Sequence, residues 1–186
     1  MRDAAEPLLG APVPGRVLGI DPGLAITGWA VLEGEAHRPR LLASGVLRTR
    51  PRDPRAVRLH LIARGLAALM AEHTPAEVAV EQQFVAENVR TAMAIGEARA
   101  AALIAAAGAA LPVFEYAPTA VKEAVTGYGG APKEQLREMV MLQLELAEPP
   151  SPLDVSDAMA IALTRLADAR LDARIAASAS GGRGAR

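Results

Sequence analysis

The order of elements in this sequence predicts an α/β fold: a single domain in which one mixed five-stranded sheet is flanked by helices. Three observations carry the prediction. The first 48 residues hold three strand-like runs, the first two joined by a short connection, as in an antiparallel hairpin. Two more apolar runs, at 78–80 and 111–116, are separated by a long helical stretch, as a βαβ crossover requires. Beyond residue 117 the pattern is helical.

Residues 16–20 form an apolar run that ends in Asp21-Pro22-Gly23, a strand followed by a turn. Residues 26–32 are a second strand and 41–48 a third. Residues 53–72 repeat apolar side chains at helical spacing (Val57, Leu61, Leu66, Leu69), with Asp53-Pro54 as the start. The continuous apolar run 78–80 suits a strand buried on both faces. A long alanine-rich helix at 87–110 leads into the fifth strand, 111–116. Helices follow at 118–126, 132–146 and 151–173. Residues 1–14 read as a flexible extension and 174–186 as a flexible tail, so the domain spans 15–173.

Composition narrows the chemistry. A chain of 186 residues that is 51% hydrophobic can bury a sizeable core. It has no cysteine, which excludes disulfides, thiolate metal sites and a cysteine nucleophile. Its histidines, His37, His60 and His73, are scattered, which argues against zinc. A metal here is expected to be hard and oxygen-bound, such as Mg²⁺ or Mn²⁺. The N-terminus lacks an apolar targeting core and the longest apolar run, 100–114, is too short to span a bilayer, so a cytoplasmic location is expected.

The net charge of −1 argues against a nucleic-acid binder, yet the charge is segregated. Residues 37–64 carry eight arginines against Asp53; residues 115–157 carry eight acids against Lys122, Lys133 and Arg137. A near-neutral sum can hide a basic face; an Arg-rich helix face facing water explains the same numbers.

Four carboxylates stand out. Asp21 leaves the end of a buried strand, although Asp-Pro-Gly is also a turn motif. Glu81 follows Val78-Ala79-Val80 directly, where a carboxylate is costly unless paired or metal-bound. Asp154 and Asp157, three apart, project from one helix face. Locally they can be explained as capping, with Ser151 at the N-cap, Pro152 at N1 and Asp154 at N3. Strand ends and helix N-termini of open sheets are nevertheless where such folds collect their sites. Clustered carboxylates repel, and divalent cations relieve the repulsion. Two hard cations about 3.5–4 Å apart make a phosphoryl-transfer site, one activating water and the other stabilising the leaving oxygen.

At these residues the chain resembles the RuvC family of Holliday-junction resolvases, within the ribonuclease-H-like superfamily. The resemblance runs through 17–33 (VLGIDPGLAITGWAVLE), 44–49, 78–100, 111–136 and 154–164 (DVSDAMAIALT), nearly everything between 16 and 166. It implies a structure-specific endonuclease that hydrolyses DNA phosphodiesters at four-way junctions by paired nicks, leaving 5′-phosphates. Asp21, Glu81, Asp154 and Asp157 match the catalytic metal-binding acids, with two Mg²⁺ or Mn²⁺ ions per active site. Phe84 matches an aromatic used against bases near the crossover. Lys122 and Lys133 match basic residues beside the scissile DNA, Lys133 with a catalytic role. Independently of the family, these are the only two lysines among 20 cationic side chains, and a lysine offers a compact point charge that arginine does not. Paired nicks on a two-fold junction call for a homodimer, and the alanine-rich 87–110 helix is the candidate contact because small side chains allow close approach, although an ordinary buried core helix fits the same residues. RuvA and RuvB as partners are also implied. Departures are Ala100-Ala101 in place of Gly-Val and the Pro149-Pro150 insertion before Asp154.

Three other functions fit parts of the pattern. A phosphotransferase of the actin and sugar-kinase type shares the first strand end but needs a second lobe and more glycine-rich phosphate loops than Gly127-Tyr128-Gly129-Gly130. A non-catalytic DNA-structure-binding module does not need all four acids. A nuclease for RNA:DNA hybrids differs only in substrate.

Overall fold

The computed structural model describes residues 10–82 and 89–181. The elements are β1 (Val13–Asp21), β2 (Ile26–Glu35), β3 (Arg38–Arg48), α1 (Arg55–His73), β4 (Pro75–Glu81), α2 (Val89–Gly108), β5 (Val113–Tyr116), α3 (Pro118–Thr126), α4 (Lys133–Gln143) and α5 (Leu153–Gly181). The strands form one sheet in the order β3-β2-β1-β4-β5. The pairs β1–β2 and β2–β3 are antiparallel; β4 runs parallel to β1, and β5 to β4. This is the mixed five-stranded sheet that the element order predicts.

Several boundaries differ from the sequence reading. β1 starts at Val13, and α5 continues to Gly181. β2 and β3 are longer and meet in a tight turn at Ala36-His37, a second hairpin that apolar alternation does not reveal. Charge continues the sheet where apolar residues stop: Arg16 and Arg40 both donate to Glu33 across the strands. On α1 the buried stripe is Ile62, Leu66 and Met70, whereas Val57 is exposed. α5 begins at Leu153, so Ser151 and Pro152 precede the helix and do not form the capping start.

Alternation along the strands divides the core into two layers. Val17, Ala30, Leu32 and Ala79 face α3, α4 and α5. Leu18, Ile20, Val31, Val78 and Val80 face α1 and α2, where α2 contributes Ala98, Ala101, Ala102, Ala105 and Ala106. The alanines thus bring α2 close to α1 and the sheet of the same chain.

α5 lies on the sheet without intervening side chains. A Cβ at Gly19 would sit 2.2 Å from the Ala158 carbonyl oxygen, and one at Gly28 2.0 Å from that of Asp154. Farther along, the buried Arg165 of α5 forms a double hydrogen bond to Glu77 of β4, at 2.7 and 3.1 Å, and stacks 3.6 Å over Phe114.

Gly19→Ala and Gly28→Ala should each cost about 2 kcal/mol or more, lowering Tm by at least about 4 °C. Gly96→Ala, inside α2 with open space around it, should be neutral or stabilising by up to ~1 kcal/mol. Thermal melts of the three variants check this; equal Tm values would remove the close contact from the account.

Candidate active site

Strand parity and register assemble the acids. On β1, Val17, Gly19 and Asp21 face α5; on β4, Glu77, Ala79 and Glu81 do. Ile20 pairs with Val80, so Asp21 and Glu81 leave neighbouring parallel strands one step further on, from the same face. Across the hairpin, Asp21 pairs with Gly28, and the Asp154 backbone is seated on Gly28. Asp157 lies one turn along α5, beside the same strand ends. Glu81 and Asp157 line a cleft of about 240 Å³ with Lys122 and Lys133, walled by Pro118, Val121, Leu136 and Ile161.

These groups act on one another through their charges. Asp21 is pushed up to about 8, first by burial and then by the charges of Glu81, Asp157 and Asp154, with Lys133 opposing. Glu81 is also raised, by burial and then by Asp157, while Lys133 and Lys122 pull it down. Burial works against the Lys133 ammonium, but its hydrogen bond to Asp157 and the charges of Asp157, Asp21 and Glu81 prevail and raise it. That bond runs from Nζ to Oδ2 at 2.9 Å.

The structure therefore brings together Asp21, Glu81, Asp154, Asp157, Lys122 and Lys133. Phe84 lies outside the described residues. Among the described residues no three Asp, Glu or His side chains are gathered into a ready ligand set: Asp157 is held by Lys133, and the acids meet through their fields. Their donor chemistry fits a hard cation all the same. It is all oxygen, rich in negative charge and half-buried, and a divalent cation would offset the repulsion that lifts Asp21 and Glu81.

Sequence reasoning missed two contributors. Gly19 and Gly28 admit α5 and so set the height of Asp154 and Asp157 above Asp21. Their signal was present, since a glycine inside a strand marks a close approach of backbone. The apolar wall from α3, α4 and α5 had no local signal.

Because the folded state holds the Asp21 proton and the unfolded state does not, stability falls as pH rises from about 4 to about 8 and the penalty is complete above that. Without divalent cations, Asp21→Asn should stabilise the protein by about 2 kcal/mol at pH 8, about 4–8 °C in Tm, with the gain shrinking towards pH 4. Melts across that pH range check it; a variant that melts below wild type at pH 8 would overturn the origin of the shift.

Residues 17–165 match the family described as crossover junction endodeoxyribonuclease RuvC. The chain is 49% identical over 148 residues to the protein of that name from Chloroflexus aggregans, covering 80% of this chain and 90% of the relative. With that of Salinispora arenicola it shares 47% over 165 residues, 88% and 94% of the two chains. Among solved structures it is similar to Thermus thermophilus RuvC in complex with a Holliday junction substrate, at TM-score 0.81 and 39% identity, covering 84% of this chain and 96% of that one.

Proposed function

The chain belongs to the RuvC family of crossover junction endodeoxyribonucleases, and from that membership we propose how its residues resolve four-way DNA junctions. It is a metal-dependent endonuclease of DNA recombination and repair that hydrolyses phosphodiesters and leaves 5′-phosphates. The observation that carries the reading is a cleft on which Glu81 and Asp157 meet two lysines, with Asp21 and Asp154 close enough for their charges to act on one another.

Asp21, Glu81, Asp154 and Asp157 hold the metal, two Mg²⁺ or Mn²⁺ ions by preference for oxygen donors. Bound there, the cations supply an activated water and charge stabilisation for the leaving 3′ oxygen. Lys133 and Lys122 draw the scissile phosphate to the acids and stabilise charge on its oxygens. Lys133 already donates to Asp157, so its ammonium stands where a phosphate oxygen facing the acids would meet it. Pro118, Val121, Leu136 and Ile161 shield the cleft from bulk water, which strengthens each of these charge contacts. Phe84, three residues after Glu81, is assigned to stacking on bases at the crossover.

Paired nicks on a two-fold junction call for two sites, and a homodimer supplies them. The inward alanines of α2 are spent within the chain, so its outward face is assigned to the partner. Val89, Met93 and Ile104 are exposed there, beside an apolar groove with Leu59, Ala63 and Ala100. RuvA and RuvB are the partners that the family likeness implies.

On a synthetic four-way junction with Mg²⁺ or Mn²⁺, wild type should nick strands of like polarity, and linear duplex or RNA:DNA hybrid should be cut at least about 100-fold more slowly. Asp21→Asn should lose at least about 10³-fold in kcat while binding the junction, because binding rests on basic groups elsewhere. Equal cleavage by both proteins would sink the assignment of the acids. Separately, Ile104→Glu should convert a dimer into a monomer in sedimentation equilibrium; an unchanged mass would remove α2 as the contact.

A further inference from the structure

We propose that Arg48, Arg50 and Arg52, at the junction of β3 and α1, form a phosphate-binding rail that carries a DNA arm past the acids. The inference rests on the junction-cleaving reading and adds a surface to it.

Position is the first reason. β3 ends at Arg48, which pairs with Ile26, at the end of the sheet where β1 ends at Asp21. Val46 packs on the α5 side and Leu47 on the α1–α2 side, so alternation puts Arg48 on the face of the acids. Two strand spacings of ~4.8 Å and two residues of ~3.4 Å place its Cα about 12 Å from that of Asp21. That distance is less than half a helical turn of duplex, about 17 Å.

The second reason is how the segment is held. Thr49 is buried between Arg48 and Arg50. Its N–H donates to the Ala25 carbonyl at 3.1 Å, and its hydroxyl donates to the Leu24 carbonyl at 2.5 Å. The same hydroxyl accepts from Arg58 Nε at 2.8 Å. Asp53 N–H closes the turn onto the Arg50 carbonyl at 3.0 Å. The turn is thereby fastened to the loop that follows Asp21, and its arginines point outward from an anchored backbone.

The third reason is the balance of charge. Arg16, Arg40, Arg55, Arg99 and Arg165 each have a carboxylate partner. Arg48, Arg50 and Arg52 are exposed, and among the described residues none of them stands in an ion pair. Asp53 is the one acid of the turn. Three guanidinium forks with unused donors, next to a site that itself repels phosphate, fit the backbone of a DNA arm.

The test compares two variants that remove equal charge: Arg48→Ala/Arg50→Ala on the rail and Arg38→Ala/Arg40→Ala at the opposite end of the sheet. Binding to a labelled four-way junction is measured without divalent cation, as a function of KCl, with Tm and single-turnover cleavage at saturating protein recorded alongside. The rail variant should bind about 10- to 100-fold more weakly at 150 mM KCl, with the slope of log K against log salt reduced by about 2. Its saturated cleavage rate should stay within about twofold of wild type and its Tm within about 2 °C. The distal variant should keep wild-type affinity and slope. Equal losses in both variants, or none in the rail variant, overturn the rail. If wild type neither binds nor cleaves the junction, both the rail and the functional reading fall; if it does both and the rail variant matches it, only the rail falls.

Discussion

Nothing stands between α5 and the sheet at Gly19 and Gly28, and the geometry of the site follows from that. Helix backbone rests on strand backbone at both glycines. Because Gly28 is the cross-strand partner of Asp21, the seat that receives the start of α5 is also the neighbour of the first acid. The pair of Arg165 with Glu77 fixes the same helix to β4 two turns beyond Asp157, on the strand that ends in Glu81. The two contacts tie α5 to both acid-bearing strands, so the spacing of four carboxylates is set by packing and not by the carboxylates themselves.

The sheet separates two tasks. One layer, with α1 and α2, is built from large aliphatic side chains and alanines and has no part in the acid cluster. The other, with α3, α4 and α5, is equally apolar in its interior but opens at the strand ends onto charge. Repulsion among the acids is a local cost that the surrounding core must carry, and Asp21 bears it, raised by burial and by three neighbouring acids.

Much of this was legible in the sequence. The five strands, their mixed pairing and α3 followed from alternation, short connections and apolar runs. The four acids were visible as residues but ambiguous one by one, since turns and caps use the same side chains. The start of α5 at Leu153 removes the Ser151 N-cap placement but leaves Asp154 in the first turn of the helix, a distinction of two residues that composition cannot make. The hairpin at Ala36-His37 escaped because ion pairs hold its arms, and pairing of Arg16 and Arg40 with Glu33 has no periodic trace. The stripe on α1 was misread because Val57, Leu61 and Leu69 share a rough helical spacing with the residues that are buried. Tertiary contact chooses among such sets, and a single strand of text does not record it.

The protonated Asp21 has a consequence for how the centre fills. Burial and three neighbouring acids push the Asp21 carboxyl up to about 8, and a carboxyl that holds its proton is a hydrogen-bond donor. On the proposed metal-binding role of Asp21, uptake of a divalent cation there expels that hydrogen into solution. Loading becomes an exchange of one kind of positive charge for another, and acidification competes directly with the metal. The enclosure that gathers the acids is the same enclosure that strengthens their hold on a proton.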